Sequence, residues 1–346
     1  MNKFKYYFIL IITSLALFSC SKDDNNSIEV VPPKDYAEQY VIEKATIEEY
    51  LETYTFVHTN APGQPEDQDI VFTKITDPVN QRSIKSYLNS NTFPKLLSRD
   101  VKDDGITYKL YYLVLREGVG EKPCNVDEVF TSYNGKYLKE VDSNGVTSIT
   151  STLFEEVLYP RGFMGLFELI RGWKEIFPQF KTGTYVSNSD GTISYNDFGA
   201  GVMFIPSGLG YYNAEQGRIP SYSPLVFSFK LYEIKRSDID GFIRFGNGAN
   251  DYTVNPDKIL SYQEDIDGDG YMWTKQELPE GAINPDDSDG DGVPDFLDVD
   301  DDNDGYVTKF EITVNGVVTP FASIPDCGGN TTNEARIKKH LDKNCH

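Results

Sequence analysis

Alternation of apolar and polar positions predicts an antiparallel sheet in the middle of this chain. Residues 106–115, Ile106-Thr107-Tyr108-Lys109-Leu110-Tyr111-Tyr112-Leu113-Val114-Leu115, are rich in β-branched and aromatic side chains and bounded by Asp104-Gly105 and Glu117-Gly118, which predicts a long strand. Val129, Thr131 and Tyr133 alternate with Phe130 and Ser132. Leu225, Phe227, Phe229 and Leu231 alternate with Val226, Ser228, Lys230 and Tyr232, the period of two expected of a strand with one buried face. Between these runs the period changes. Trp173, Ile176, Phe177 and Phe180 fall at i, i+3, i+4 and i+7, one apolar face of a short helix with Lys174, Glu175 and Gln179 outside. Pro178 shortens or bends that helix. The class expected is α+β, an antiparallel sheet plus one short helix.

The flanks add an N-terminal α/β extension, residues 35–105, and a tail after residue 235. From Asp35 the pattern is helical, with Tyr36, Tyr40 and Val41 on one side. Thr46-Ile47-Glu48-Glu49 has the form of a capping box opening a helix that carries Ile47, Tyr50, Leu51 and Tyr54. A strand near residues 70–75 and a short helix near 83–88 follow. This extension is expected to pack on the central domain or to lengthen a peptide groove. Residues 185–198, with Asp190-Gly191 between Val186 and Ile193, predict an added hairpin lengthening the strand that leads to Ile205.

At the start, Lys3 and Lys5 precede an apolar run over residues 6–18, too short to span a bilayer and suited to a signal peptide, residues 1–19. It ends in Leu17-Phe18-Ser19-Cys20, which resembles a bacterial lipobox. That resemblance implies cleavage before Cys20, lipidation of its thiol and amine, and a tether over residues 20–34. Ser21-Lys22-Asp23-Asp24-Asn25-Asn26 resembles the acidic export signal of lipoproteins at the outer face of the outer membrane.

With 346 residues and 39% hydrophobic positions the chain has material for two packed domains. A net charge of −22 argues against nucleic acid as a partner, since that requires basic patches. The three histidines, His58, His340 and His346, are too scattered for a His-based metal centre or a Ser-His-Asp site. Cys20, Cys124, Cys327 and Cys345 contain no C-x-x-C, against a thioredoxin-like or zinc-ribbon reading. Outside the cytoplasm a Cys327–Cys345 disulfide is allowed, and the chain-entropy model gives it ~3 kcal/mol. Cys124 then remains a buried thiol.

Five motifs run in order through the central region: Tyr133-Asn134-Gly135, Ile170-Arg171-Gly172-Trp173, Ile205-Pro206 followed by Tyr211, Ile219-Pro220, and Leu225-Val226-Phe227. Together they resemble the FK506-binding-protein family of peptidyl-prolyl cis-trans isomerases, over residues 106–235, and the resemblance implies a curved antiparallel β-sheet wrapped around a short helix. The resemblance implies Trp173 at the floor of a pocket, with Leu169 and Ile170 beside it and the Ile170 N–H as a donor. It implies Tyr133 and Phe227 as walls, Tyr211 as a wall whose phenol bonds a substrate carbonyl, and Ile219 as a lip. Phe154-Glu155 matches the family's Phe-Asp pair, with Glu in place of Asp, and Tyr212 stands where the family has Gly. Residues 156–167 are shaped differently, leaving Tyr159 or Phe163 as the remaining wall. The substrates implied are proline-containing polypeptides. Rotation about X-Pro faces a barrier of ~18 to 20 kcal/mol from amide resonance. A dry apolar cup favours the twisted amide without a cofactor.

Between Asp286 and Asp304 there are ten Asp in nineteen residues and no Lys or Arg. Three segments repeat a calcium-loop spacing of carboxylates at positions 1, 3 and 5 with Gly at 6. They are Asp265, Asp267, Asp269 with Gly270; Asp287, Asp289, Asp291 with Gly292, then Asp295 and Asp298; and Asp300, Asp302, Asp304 with Gly305 and Glu311 at position 12. The second resembles thrombospondin type 3 repeats. The first lacks an acid at position 12, where Gln276 stands. The tail is therefore expected to bind structural Ca²⁺ over residues 236–311, followed by a C-terminal segment, 312–346, with a helix near 333–341.

Overall fold

The computed structural model describes residues 32–241, 243–244, 252–253, 255–279 and 281–345. The expected signal peptide, Cys20 and most of the expected tether lie outside them. The described residues from Asp35 onward form one compact unit. Among the described residues no helix is long and apolar enough to cross a membrane.

In chain order the main elements are α1 (Tyr36–Thr53), β1 (Tyr54–His58), β2 (Ile70–Lys74), β3 (Lys95–Asp103), β4 (Ile106–Arg116), β5 (Glu128–Ser143), β6 (Val146–Val157) and β7 (Met164–Gly165). Then come α2 (Arg171–Ile176), β8 (Thr184–Ser187), β9 (Ile193–Asn196), β10 (Gly199–Ile205), β11 (Leu225–Lys235) and α3 (Thr308–Glu311). A curled antiparallel sheet has the order β3-β4-β10-β11-β5-β6, with β7 beside β5. The domain boundary expected at residue 106 therefore falls inside a hairpin. β3 pairs with β4 from Lys95↔Val114 to Asp103↔Ile106, and the turn between them is Asp104-Gly105, both with positive φ.

Strand periodicity sorts side chains onto two faces, and both are covered. On one, Tyr108, Leu110, Tyr112, Met203, Ile205, Leu225, Phe227, Phe229 and Leu231 pack against Trp173, Ile176, Phe177 and Phe180. On the other, Tyr111, Leu113, Leu115, Val202, Phe204, Val226 and Tyr232 meet Ile47, Tyr50, Leu51 and Tyr54. The expectation of one buried face is thus corrected: the N-terminal extension covers the second. Even Lys230 is mostly buried there, its ammonium 2.6 Å from Asp69 and 2.8 Å from the Pro65 carbonyl.

α1 is one helix, capped by the Asp35 carboxylate accepting from the Glu38 N–H at 3.0 Å. The capping box expected at Thr46 is not used. Thr46 lies inside the helix and its hydroxyl donates to the Ile42 carbonyl, because Tyr40, Ile47 and Tyr50 continue a single packed face across it. Val41, expected on that face, is exposed. β8 and β9 form a separate hairpin rather than lengthening β10. The short helix near 83–88 is a 3₁₀ turn, Ile84–Tyr87.

α2 lies on the first face of the sheet, and the approach is close. A Cβ on Gly172 would come within 2.6 Å of Ile205 Cδ1. Gly172→Ala is expected to cost about 1–3 kcal/mol by overpacking, read as a lower urea midpoint. An unchanged midpoint would show that Ile205 turns away freely.

The described part of the tail has little regular structure. Two small apolar centres organise it: Met272 and Phe296 against Cys124, Val126 and Phe167 of the central domain, and Ile259 with Ile312 and Ile324. Cys327 and Cys345 form a disulfide with Cα atoms 5.5 Å apart, and Cys124 is a buried free thiol. The helix expected near 333–341 is absent beyond a 3₁₀ turn, Lys339–Leu341. Asn330 and Asn333 instead turn their side-chain oxygens onto the N–H groups of Thr332 and Ala335, a local alternative to helix.

Candidate functional site

Four aromatic rings meet where α2 crosses the sheet. Trp173 stands edge-to-face with Tyr133 and with Phe227, centroids 5.2 Å apart in each case. Phe154 meets Phe227 edge-on at 5.5 Å. Such pairs prefer perpendicular rings because the positive edge of one faces the negative face of the other. The Tyr-x-Gly spacing has a physical cause: a Cβ on Gly135 would lie 2.6 Å from the Phe154 ring and 2.9 Å from Phe227. Only a bare backbone lets both rings lie over β5.

Trp173, Phe227 and Ile219 are buried, while Tyr133, Phe154, Leu169, Ile170 and Tyr211 are half-buried around them. Ile170 occupies the position before the first turn of α2, its carbonyl accepting from the Trp173 N–H at 2.9 Å. No intrahelical bond takes up its own N–H there. The buried indole N–H of Trp173 has no hydrogen-bond acceptor among the described residues.

Glu155 is exposed at the rim, where its charge is felt at the Tyr133 phenol. Burial, and then the charge of Glu155, raise the Tyr133 and Tyr211 phenols above their ordinary range. Both remain protonated donors at neutral pH. Of the two candidates for the remaining wall, Phe163 rests on Phe130 at 5.3 Å and Tyr159 is exposed. Neither has a described ring contact with Trp173. Two clefts of about 370 and 460 Å³ lie elsewhere, in and beside the tail.

The loop carrying Tyr211 is held by the N-terminal extension. Buried Glu43 of α1 accepts from the Ser207 N–H at 2.6 Å and from its hydroxyl. Tyr212 takes φ +48°, the left-handed backbone that favours glycine. Its ring stacks on Tyr36 of α1 at 4.0 Å and stands against Tyr222 at 5.1 Å, contacts that glycine would forgo. Nothing in the sequence pattern of α1 signals this role.

Behind Trp173, the tail covers the outer side of α2. Lys174 and Glu175, expected in solvent, are buried. Glu175 accepts from Arg171 (2.9 Å), Arg99 (2.6 Å) and the Tyr271 hydroxyl (2.9 Å). Glu277 pairs closely with Lys174 and lies 2.6 Å from Arg171. Burial alone would push the Glu277 carboxyl up, but Lys174 and Arg171 outweigh it and hold it below the usual range. Burial draws the Lys174 ammonium down by more than Glu277 restores.

Within the tail the three acidic loops repeat one geometry. In each, the first Asp accepts from the Gly five residues on: Asp265 from Gly270 (2.8 Å), Asp287 from Gly292 (2.9 Å) and Asp300 from Gly305 (3.1 Å). In each, the carboxylates at positions 1, 3 and 5 offer oxygens within 4.8 Å of one another. Glu311 is buried, with neither carboxylate oxygen partnered among the described residues. Burial, then Asp302 and Asp304, push its carboxyl up to about 8. Asp298 faces Asp291 and Asp289, whereas Asp295 is taken up by Ser288, accepting from its N–H and hydroxyl. Buried Asp286 faces the first loop; burial and the charges of Asp265, Asp267 and Asp269 push it up to about 6. Sequence reasoning missed it, because it reaches that loop from twenty residues away. An all-oxygen donor set with unpartnered buried oxygens fits a hard cation such as Ca²⁺.

Among known proteins, residues 255–334 match the family model described as BamM C-terminal. No curated protein sequence matches the chain. Solved structures similar to it include a peptidyl-prolyl cis-trans isomerase from Pseudomonas syringae pv. tomato, 15% identical, spanning 60% of this chain and 100% of that one, with a TM-score of 0.32. FkpA from Escherichia coli is 27% identical over 37% of this chain and 48% of its own, with a TM-score of 0.27. The three FKBP domains of wheat FKBP73 are 19% identical over 40% and 51%, with a TM-score of 0.24. The chain thus spans about half the length of the last two.

Proposed function

We propose that this chain is a peptidyl-prolyl cis-trans isomerase of the FK506-binding type, acting on X-Pro bonds of exported polypeptides. The observation that carries the reading is the aromatic dish of Trp173, Tyr133, Phe227 and Phe154, with the phenol-bearing Tyr211 in the same cluster. The proline ring lies on Trp173, apolar walls strip water from the amide, and the twisted amide, less dipolar than the planar one, is favoured there. The Ile170 N–H and the Tyr211 hydroxyl hold the flanking carbonyls. Glu155 orients the Tyr133 phenol and takes no proton from substrate. The catalytic set is Tyr133, Phe154, Glu155, Leu169, Ile170, Trp173, Tyr211, Ile219 and Phe227.

The test is an isomerisation assay on an Xaa-Pro peptide panel with calcium present. Acceleration well above the uncatalysed rate supports the reading, and none from a folded protein defeats it. Peptide binding without acceleration would favour a chaperone-like holder. The exposed Glu155 and the left-handed Tyr212, which depart from the family pattern, favour that second reading.

The tail binds structural Ca²⁺ in its three loops in this reading, and Cys20 carries the lipid that anchors the protein at the outer membrane. Chelation is expected to lower the melting temperature of the tail while leaving the sheet's far-UV signal. An unchanged melt with chelator and with added calcium would rule out the loop assignment. Mass spectrometry of membrane-extracted protein tests Cys20 directly; an unmodified cysteine would refute the anchor.

A further inference from the structure

A second group of carboxylates lies in the tail, away from positions 1, 3 and 5 of the loops. Asp238 and Asp240 follow β11, Asp257 and Glu264 follow in the next stretch, and Asp301 sits between the loop residues Asp300 and Asp302. Asp238, Asp240 and Asp257 offer oxygens within 4.8 Å of one another, and so do Asp257, Glu264 and Asp301. Asp257 is common to both triads. Asp240, Asp257, Glu264 and Asp301 are 0–3% exposed.

Few donors serve them. Asp257 accepts from the Ile259 N–H at 2.6 Å, Asp240 from the Asp257 N–H at 3.4 Å, and Asp238 from the Lys258 N–H at 3.0 Å. One oxygen each of Asp238, Asp240 and Asp257, and both oxygens of Glu264 and of Asp301, have no partner among the described residues. Lys309 is the cation whose charge is felt at Asp257, but its ammonium bonds the Pro256 carbonyl at the surface. A buried carboxylate is costly unless it is paired or coordinates a metal, and here four buried ones and the half-buried Asp238 gather in two triads joined at Asp257.

We infer that Asp238, Asp240, Asp257, Glu264 and Asp301 form a buried site for hard divalent cations of the calcium class, separate from the three loops. Two oxygens bound to one Ca²⁺ at ~2.4 Å lie at most ~4.8 Å apart, the span of each triad. Carboxylate oxygens alone select calcium-class ions over zinc or copper. Asp257 bridges the end of the domain's strand β11, through Asp238 and Asp240, to the third loop, through Asp301. A cation there fixes the tail to the domain. This does not rest on the isomerase reading.

The test is a count of tightly held calcium on the full chain, by metal analysis after equilibrium dialysis at saturating free calcium. The loops account for three ions, one for each triad. The wild-type chain is expected to hold at least one ion beyond those lost in a variant of the loops, and a count no larger than that loss overturns the inference. The double variant Glu264→Gln, Asp301→Asn, with native circular dichroism, should lose at least one equivalent. A folded triple variant Asp267→Asn, Asp289→Asn, Asp302→Asn should keep at least one while losing loop ions. An unchanged count in the first, or no calcium in the second, overturns the inference. Failure of the loop assignment alone leaves the triple variant's count equal to wild type. The calcium kept by the triple variant decides the matter should the double variant not fold.

Discussion

Trp173→Leu is expected to lower kcat/KM for prolyl isomerisation by roughly tenfold or more, ~1.4 kcal/mol of transition-state stabilisation for each factor of ten. Trp173 makes edge contacts with both walls of the dish, Tyr133 and Phe227, and packs on Phe177 at 5.0 Å. Leucine leaves the floor low and lets the walls lean in. Because Trp173 is also core, the variant loses stability, and its fold must be checked by near-UV circular dichroism. Tyr211→Phe separates the two effects. It removes one half-buried hydroxyl and leaves the ring, so a drop of about two- to tenfold is expected, the worth of one hydrogen bond. If Tyr211→Phe and Trp173→Leu both fold and both keep the wild-type rate, the dish is not the site.

Glu175→Ala should destabilise the protein by about 3–5 kcal/mol, the usual result of removing one partner from a buried ionic group. Its carboxylate receives Arg99, Arg171 and Tyr271 together. Without it, Arg171 keeps Glu277 as its remaining carboxylate. The loss should appear as separation of the tail from the domain, with faster proteolysis beyond residue 236. A melting temperature within a degree or two of wild type would show that the contact is incidental. Acid should loosen the same contact. The Glu277 carboxyl is held below its unfolded value in the folded protein, so the unfolded chain binds its proton first. Its contribution is fully present above the ordinary Glu value of about 4.3 and fades as pH falls through the depressed value. Glu277→Gln should flatten that part of the stability-against-pH curve, and an unchanged curve would assign the acid sensitivity elsewhere.

Strand periodicity was legible wherever one pattern of contacts decided it. The alternation of Leu225, Phe227, Phe229 and Leu231 sorts those side chains to α2. It could not tell that Val226, Lys230 and Tyr232 would be covered as well, because Lys230 reads as solvent-facing until Asp69 and the Pro65 carbonyl arrive from the extension. Lys174 and Glu175 misled in the same way, since a polar face of a helix looks alike whether it meets water or an opposite charge.

The acidic loops are the reverse case. Their carboxylates at positions 1, 3 and 5 and their turns lie within six residues, so spacing alone determined which of these converge. The aromatic motifs were local too, and Gly135 and Gly172 mark in the sequence where backbones must approach bare. What only the tertiary structure decided is everything that joins distant segments: Glu43 holding the turn before Tyr211, Asp286 facing the first loop, and Asp257 brought to Glu264 and Asp301. A linear pattern records neighbours along the chain, whereas desolvation and charge depend on neighbours in space, and those are set by how the extension and the tail close over the sheet.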